Sequence, residues 1–342
     1  MKKITVCGAF RLNDKPKGGQ EIKTCILATE LERTFKKIHR IDTLGRWSKL
    51  KNIFQLLVAV ATSYNIIILP AHKGLIVEAL LLRSINFLFR RNIFYVVIGG
   101  WLPDYLQNHP CTASNIRCFK GIFVETNTMK NSLEKMGYTN IIYMPNFKPL
   151  EILNTDCIKT DFEKPYPLVT FSRVTAKKGI ETAVNLITQI NREYRKPIFT
   201  LDIYGTIDTV DEAWFSHLQN NFTDEIKYKG NVAFNKSPKV LSKYFALLFP
   251  TEYYTEGVPG TIIDAYAAGL PVISSRWKSF DDVVIDRHTG YGYQFGNIDE
   301  LRNLLLQIAK NPNMIISLKK KCLHKAYFFL PENAMYPLIN LL

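Results

Sequence analysis

An α/β fold of two domains, each a parallel β-sheet covered by helices, is what this sequence predicts, and three observations carry it. The chain has 342 residues, enough for two domains of about 150 residues each. Short, wholly apolar runs such as Ile66–Leu69 and Ala246–Phe249 read as strands buried on both faces. Such runs alternate with helix-length stretches through Gly-containing turns. A patternless stretch punctuated by Pro145, Pro149, Pro165 and Pro167 separates the two halves.

The first half begins with a strand over Ile4–Ala9, a loop containing Lys15, Lys17, Gly18 and Gly19, and a helix from about Gln20 to Arg33. A strand at Lys37–Asp42, a helix at Leu50–Tyr64, the strand Ile66–Leu69 and a helix at Leu75–Phe89 follow. Strands at Phe94–Ile98 and Ile122–Glu125, a helix at Thr128–Met136 and a strand at Ile141–Met144 complete it. After the proline-marked linker come strand Leu168–Arg173, helix Ile180–Glu193, strand Phe199–Tyr204 and helix Asp211–Asn220. Strand Ile226–Tyr228 and helix Lys239–Phe245 lead into Ala246–Phe249. An irregular stretch rich in Thr, Tyr and Glu then reaches Pro259, placed where a helix's first turn tolerates a missing N–H. That helix runs to Ala268, is stopped by Gly269 and Leu-Pro, and gives way to a strand at Pro271–Ser274. Helices near Glu300–Lys310 and Ile315–Phe328 and a tail near Glu332–Leu342 end the chain. The expected division is residues 1–145, a linker over 146–165, residues 166–325, and a tail over 326–342 that packs back on the first domain. Two such halves place a ligand cleft between the carboxyl ends of their strands.

The formal net charge of +14 asks for an anionic partner. Nucleic acid, an anionic membrane face and phosphorylated small molecules are the three classes. Lys and Arg are spread along the chain, with no RNA-binding aromatic motif or zinc-finger spacing, so nothing specific supports nucleic acid. No apolar stretch is long enough to span a bilayer. The opening MKKITVCGAF has the charges of a signal peptide but too short an apolar run, and Arg11, Asp14, Lys15 and Lys17 follow at once; it reads as the first strand. Six cysteines without CxxC spacing point to reduced thiols in a cytosolic protein.

The chemistry concentrates in Phe249–Trp277, FPTEYYTEGVPGTIIDAYAAGLPVISSRW. Strand, tight loop and helix N-terminus present unpaired N–H groups and a positive dipole end to an anion. Gly257 and Gly260 let a ligand approach the backbone, and Glu256 and Asp264 offer carboxylates to sugar hydroxyls. An ordinary strand–helix–strand unit with solvated acids is the bland alternative. Arg173 and Lys178, in TFSRVTAKKGIETAV, end a strand and precede a helix, as phosphate ligands or as two solvated cations among many. Gly18-Gly19 resembles half a phosphate loop and equally an ordinary turn. His72, after a buried strand, is a sugar contact, a proton carrier or an idle loop residue. Gly99, Gly100 and Trp101 leave room for a sugar to stack, or merely pack. Leu75–Arg91, apolar with a basic end, suits a membrane surface or simple burial.

Taken together, FPTEYYTEGVPGTIIDAYAAGLPVIS resembles the E-G-x-P-x-x-x-x-E signature of glycosyltransferase family 4, the retaining GT-B enzymes. TFSRVTAKKGIETAV resembles that family's G-R-(x)4-K-G segment, and Met144-Pro145-Asn146 the start of its linker, with Gly18-Gly19 in the expected place near the front. The resemblance implies the GT-B form of the α/β class: two Rossmann-like domains facing a central cleft, the first taking the acceptor and the second the nucleotide-sugar. It implies a hexosyltransferase-type, retaining and metal-independent enzyme, with no resident cofactor and a UDP- or GDP-linked sugar as donor. Arg173 and Lys178 then meet the diphosphate, Glu256 the transferred sugar and Asp264 the ribose. The N–H groups of Gly260 and Thr261, beside Gly257, meet the diphosphate or sugar; Gly18 and Gly19 approach from the other domain, and His72 falls near the family's sugar-facing histidine. Two departures stand out: the second acid is Asp264 rather than Glu, and Ser172 replaces the Gly before the arginine. IGGWLPDYL and the GxPGTxxDAxAAGLPV variant look like a bacterial polysaccharide-assembly branch. The implied acceptor is a lipid-linked glycan, with the enzyme in the cytoplasm or at the inner face of an anionic membrane. A GT-B epimerase or phosphorylase shares this architecture, and a non-catalytic nucleic-acid or membrane binder is the alternative of another class.

Overall fold

Each segment of the first half read as a strand becomes a strand of one parallel sheet. The computed structural model describes residues 3–11, 18–44 and 48–342. Strands β1 (Ile4–Gly8), β2 (Ile38–Asp42), β3 (Asn65–Ile68), β4 (Asn92–Val96), β5 (Gly121–Val124) and β6 (Ile141–Tyr143) lie in the order β2-β1-β3-β4-β5-β6. The second half forms another parallel sheet from β7 (Tyr166–Phe171), β8 (Phe199–Tyr204), β9 (Ile226–Gly230), β10 (Ala246–Phe249), β11 (Val272–Ser275) and β12 (Gly290–Tyr293), in the order β12-β11-β10-β7-β8-β9.

Both sheets are covered on both faces, which is why their central strands β3 and β10 are almost wholly apolar. Along β3, Ile66 and Ile68 enter a core shared with the helices Ser48–Thr62 and His72–Phe89. Ile67 and the following Leu69 enter the opposite core, with Leu27 and Leu31 of the helix Gly19–Phe35. In β10, Ala246 and Leu248 face one cluster while Leu247 and Phe249 face the other.

The chain divides into two compact units, Met1–Pro149 with Pro331–Leu342, and Leu150–Leu330. The division differs from the expected linker over 146–165. Leu150, Ile152 and Leu153 pack on the second unit, where the Leu153 N–H donates to Ala267 O (3.0 Å) and Phe162 is buried. Aperiodic apolar residues among prolines leave no pattern from which to read this. The tail joins the first unit from Pro331 rather than 326, with Ala334, Met335 and Leu338 buried beneath the sheet. Asn65 there donates to Leu342 O at 2.9 Å.

Further elements depart from expectation. The helix expected over Ile315–Phe328 is broken into Asn313–Ile316, Lys319–Ala326 and a 3-10 turn at Tyr327–Phe329. Lys319, fully buried, donates to Tyr244 O (3.0 Å), a tertiary contact invisible to helical periodicity. The helix expected over Lys239–Phe245 occupies Ser237–Leu241, because Phe245 N already donates to Pro167 O at 2.8 Å. Strand β12 is missing from the sequence reading because GYGY offers no apolar run. A Cβ on Gly290 would stand 2.2 Å from Val272 O, so only glycine lets this strand close on β11.

Candidate active site

The strand order of the second sheet fixes where a ligand can enter. From β7 the chain steps outward through β8 and β9, then returns to β10 and steps the other way. The neighbours β7 and β10 therefore flank a topological switch point, where the loops leaving their carboxyl ends part and open a crevice. Gly179 draws these two loops into contact. Its φ is +67°, and a Cβ there would lie 1.8 Å from Pro250 O, an approach that only glycine allows.

That contact sets Lys178 against Glu256. The Lys178 ammonium donates to Glu256 Oε1, with the two side chains 18% and 11% exposed. Thr251 Oγ1 donates to the same oxygen at 3.4 Å, and the ammonium lies 5.4 Å from the Phe249 ring centroid. The loop carrying Glu256 is pinned from three sides. Glu252 N donates to Lys177 O (3.0 Å), Ser275 Oγ to Thr251 O (2.6 Å) and Ser274 Oγ to Phe249 O (2.7 Å).

Arg173 stands on the same edge but turns to Asp208, with an Nη1–Oδ2 distance of 3.1 Å and more than half of its side chain exposed. A bridge between Val174 and Ile207 prolongs the β7–β8 pairing to this point. Gly205 (φ +142°) permits it, since a Cβ there would come within 1.7 Å of Ser172 O. Ser172 needs no left-handed backbone, and its hydroxyl donates to Arg173 O (3.1 Å), so the departure from Gly is accommodated.

The helix that follows spans Gly260–Ala267, with Pro259 as its N-cap (φ −65°, ψ 126°) rather than its first residue. Its first N–H groups belong to Gly260 and Thr261, beside the buried Gly257. The buried Thr261 Oγ1 has no hydrogen-bond partner among the described residues. Asp264 is only 3% exposed, and its Oδ1 accepts from Ser237 Oγ at 2.9 Å. The two acids are thus unlike: Glu256 meets a cation at the crevice, whereas Asp264 faces the helix Ser237–Leu241. Gly269 (φ +63°) ends the helix in a Schellman motif, with Leu270 N on Ala265 O at 2.8 Å.

The first unit has its own switch point between β1 and β3. Gly18 and Gly19 follow β1, His72 follows β3, and Gln20 Nε2 donates across to Leu69 O at 3.0 Å. A Cβ on Gly18 or Gly19 would meet nothing within 4 Å, so chain packing does not demand glycine there. Lys15 and Lys17 lie outside the described residues. The His72 ring lies against Trp101, with ring centroids 3.8 Å apart, and partial burial followed by the charge of His109 lowers its pKa. Trp101 therefore packs on His72 while its Nε1 donates to Ile98 O (2.8 Å).

Asp208, Thr251 and a buried ion pair, Lys23–Glu125, escaped the sequence reading. Lys23 and Glu125 are each 3% exposed, and Gly99 N donates to Glu125 Oε2 at 3.3 Å. Partners 102 residues apart share no spacing signal. Among the described residues no three His, Cys, Asp or Glu side chains gather as metal ligands.

Residues 157–326, within the second unit, match the family model described as glycosyl transferases group 1. The second unit belongs to the group 1 glycosyl transferases. Arg173, Lys178, Glu256, Gly257, Gly260, Thr261 and Asp264 all lie inside this glycosyl transferase unit. An uncharacterised glycosyltransferase of Methanocaldococcus jannaschii is 22% identical over 159 residues, 46% of this chain and 39% of its own length. The amylovoran biosynthesis glycosyltransferase AmsK of Erwinia amylovora is 20% identical over 157 residues, 45% of this chain and 38% of its own. The match thus spans less than two fifths of either relative. Two solved structures share the fold across the whole chain. HepE of Anabaena in complex with UDP has a TM-score of 0.78 at 14% identity, covering 100% of this chain and 99% of that one. Sucrose-phosphate synthase of Thermosynechococcus elongatus has a TM-score of 0.77 at 15% identity, covering 100% and 98%. The glycosyl transferase unit and the unit before it therefore form the pair of Rossmann-like units of the GT-B fold.

Proposed function

We propose that this protein is a retaining, metal-independent glycosyltransferase. It moves a sugar from a nucleotide-diphosphate sugar to a lipid-linked glycan during polysaccharide assembly, at the cytoplasmic face of a membrane. The observation that carries this reading is the Lys178–Glu256 contact at the β7/β10 switch point of a group 1 glycosyl transferase unit. An ammonium has three N–H donors, so Lys178 can hold Glu256 and a diphosphate oxygen together. Arg173, with one N–H engaged by Asp208, keeps others for the same diphosphate. Both stabilise the charge that develops on the leaving group. The bond from the anomeric carbon to phosphate breaks as the acceptor oxygen bonds on the same face, and the acceptor's proton passes to the departing phosphate oxygen. HepE's structures with UDP and UDP-glucose support the donor class, and AmsK's role in amylovoran biosynthesis supports a polysaccharide acceptor.

Thermal shift with UDP, GDP and their sugars identifies the base; a ligand at about 100 times its Kd stabilises by roughly 2.7 kcal/mol. Transfer assays on the matching donor should then lose about 100-fold or more with Lys178→Ala, and substantially with Arg173→Ala and Glu256→Ala. Asp264→Asn should weaken donor binding more than turnover. Unchanged transfer in all three alanine variants would sink the assignment.

A further inference from the structure

The two helices over one face of the first sheet are apolar on their outward side as well. Inward, Leu56, Val60, Leu75 and Leu82 are buried in the core. Outward stand Phe54, Val58, Val77, Leu80, Phe87 and Leu88, from 41% to 84% exposed. Spacings of four (Phe54–Val58), three (Val77–Leu80), and seven and eight (Leu80 to Phe87 and Leu88) keep them on one stripe of each helix, where a surface helix ordinarily carries charges. Arg91 fastens the helices side by side by donating to Val60 O (2.9 Å) and Ala61 O (3.0 Å).

The charge along these two helices is almost entirely of one sign. Between Asn52 and Arg91 the bases are Lys73, Arg83, Arg90 and Arg91, and the sole acid is Glu78. Glu78 Oε2 is inaccessible, and burial pushes the carboxyl up to about 8, so at neutral pH it is mostly uncharged. Lys73, Arg83 and Arg90 are exposed. A second copy of this chain docking face to face would set like charges against each other.

We propose that the outward face of Ser48–Thr62 and His72–Phe89 docks on an anionic lipid bilayer, its apolar side chains entering the headgroup boundary while Lys73, Arg83 and Arg90 meet lipid phosphates. The contact lies on the surface without spanning: among the described residues no helix is long and apolar enough to cross a membrane. This deepens the reading of a lipid-linked acceptor and rests on that reading for its purpose.

Vesicle flotation of the full chain tests it, with phosphatidylglycerol mixed into phosphatidylcholine against phosphatidylcholine alone. The protein should float with the anionic vesicles, and less so in high salt. Phe87→Ser combined with Leu88→Ser, and separately Leu80→Asp, should each weaken flotation at least about tenfold. These positions are exposed, so the thermal response to UDP, measured without lipid, should persist in both variants. Failure of the unaltered chain to float overturns the proposal, as do variants that float equally well. So does a dimer in light scattering that the variants make monomeric without any vesicle binding, or binding only to vesicles that carry membrane proteins. Flotation without any response to nucleotides would instead sink the transferase reading and leave the bilayer contact standing.

Discussion

Gly179 matters more to the geometry of the candidate site than its place beside two lysines suggests. Lys178 reaches Glu256 because the chain passes against the Pro250 carbonyl, and a single methyl group would collide with it. Gly179→Ala should therefore destabilise the second unit by more than about 2 kcal/mol in denaturant melts and cost transfer activity at least as much as Lys178→Ala. Gly19 provides the contrast, since its Cβ would enter open space at the start of a helix. Gly19→Ala should leave stability unchanged or raise it by up to about 1 kcal/mol, while raising KM for the donor. A stability loss there, or an unaltered KM, would remove Gly19 from donor binding. At this scale the sequence singled out Arg173 with Lys178, and Glu256 with Asp264, as candidates because each pair lies within one short motif. It was silent on Asp208 and Thr251, because the first comes to Arg173 only through strand pairing and the second binds Glu256 through a side chain with no spacing rule.

The helices and strands show which local signals survive packing. Ile180–Glu193, Phe199–Tyr204 and Ala246–Phe249 have the bounds read from sequence, each a clean period or apolar run between breakers. The helix Ile298–Lys310 is held at its start by Asn297, whose Oδ1 accepts from Glu300 N at 3.0 Å. Asn297→Ala should cost about 1 kcal/mol of stability in the second unit and leave transfer activity intact, measured by melts and assay on one preparation. Loss of activity without loss of stability would mean that this helix end takes part in the site. Among the elements that escaped notice, Pro110–Ile116 begins with proline and β12 consists of glycine and tyrosine. Both compositions read as turns until a neighbouring surface makes them regular.

Across the whole molecule the two units carry buried ionisable groups of opposite sense, and they should respond oppositely to pH. In the first unit, burial raises Glu78 to about 8 from an ordinary value near 4.5. The folded state then binds more protons than the unfolded one between those values, so stability is greatest below about 4.5 and declines as pH rises toward 8. Glu78→Gln should abolish that decline, gaining about 1–3 kcal/mol at pH 8 and little at pH 4.5. In the second unit, burial lowers Lys319 to about 8 from 10.5. Here the unfolded state binds more protons between 8 and 10.5, so the Lys319 contribution becomes more favourable as pH rises through that window. Relative to Lys319→Met, the unaltered chain should gain stability between pH 8 and 10 in melts that follow the second unit. A pH-independent difference between the two would show that Lys319 stays charged when folded.

The sequence by itself determined the α/β class, the repeated strand–helix alternation, the family resemblance and the identity of the charged residues on the loop edges. All of these rest on local patterns: apolar runs, breakers and short motifs. Only the tertiary structure decided which loops meet, that Asp264 lies inside against Ser237, that Arg173 turns to Asp208, and that two helices carry apolar side chains outward as well as inward. The reason is physical. A residue's chemistry and its neighbours along the chain are written in the sequence, whereas burial and ion pairing depend on surfaces brought together from positions tens to hundreds of residues apart.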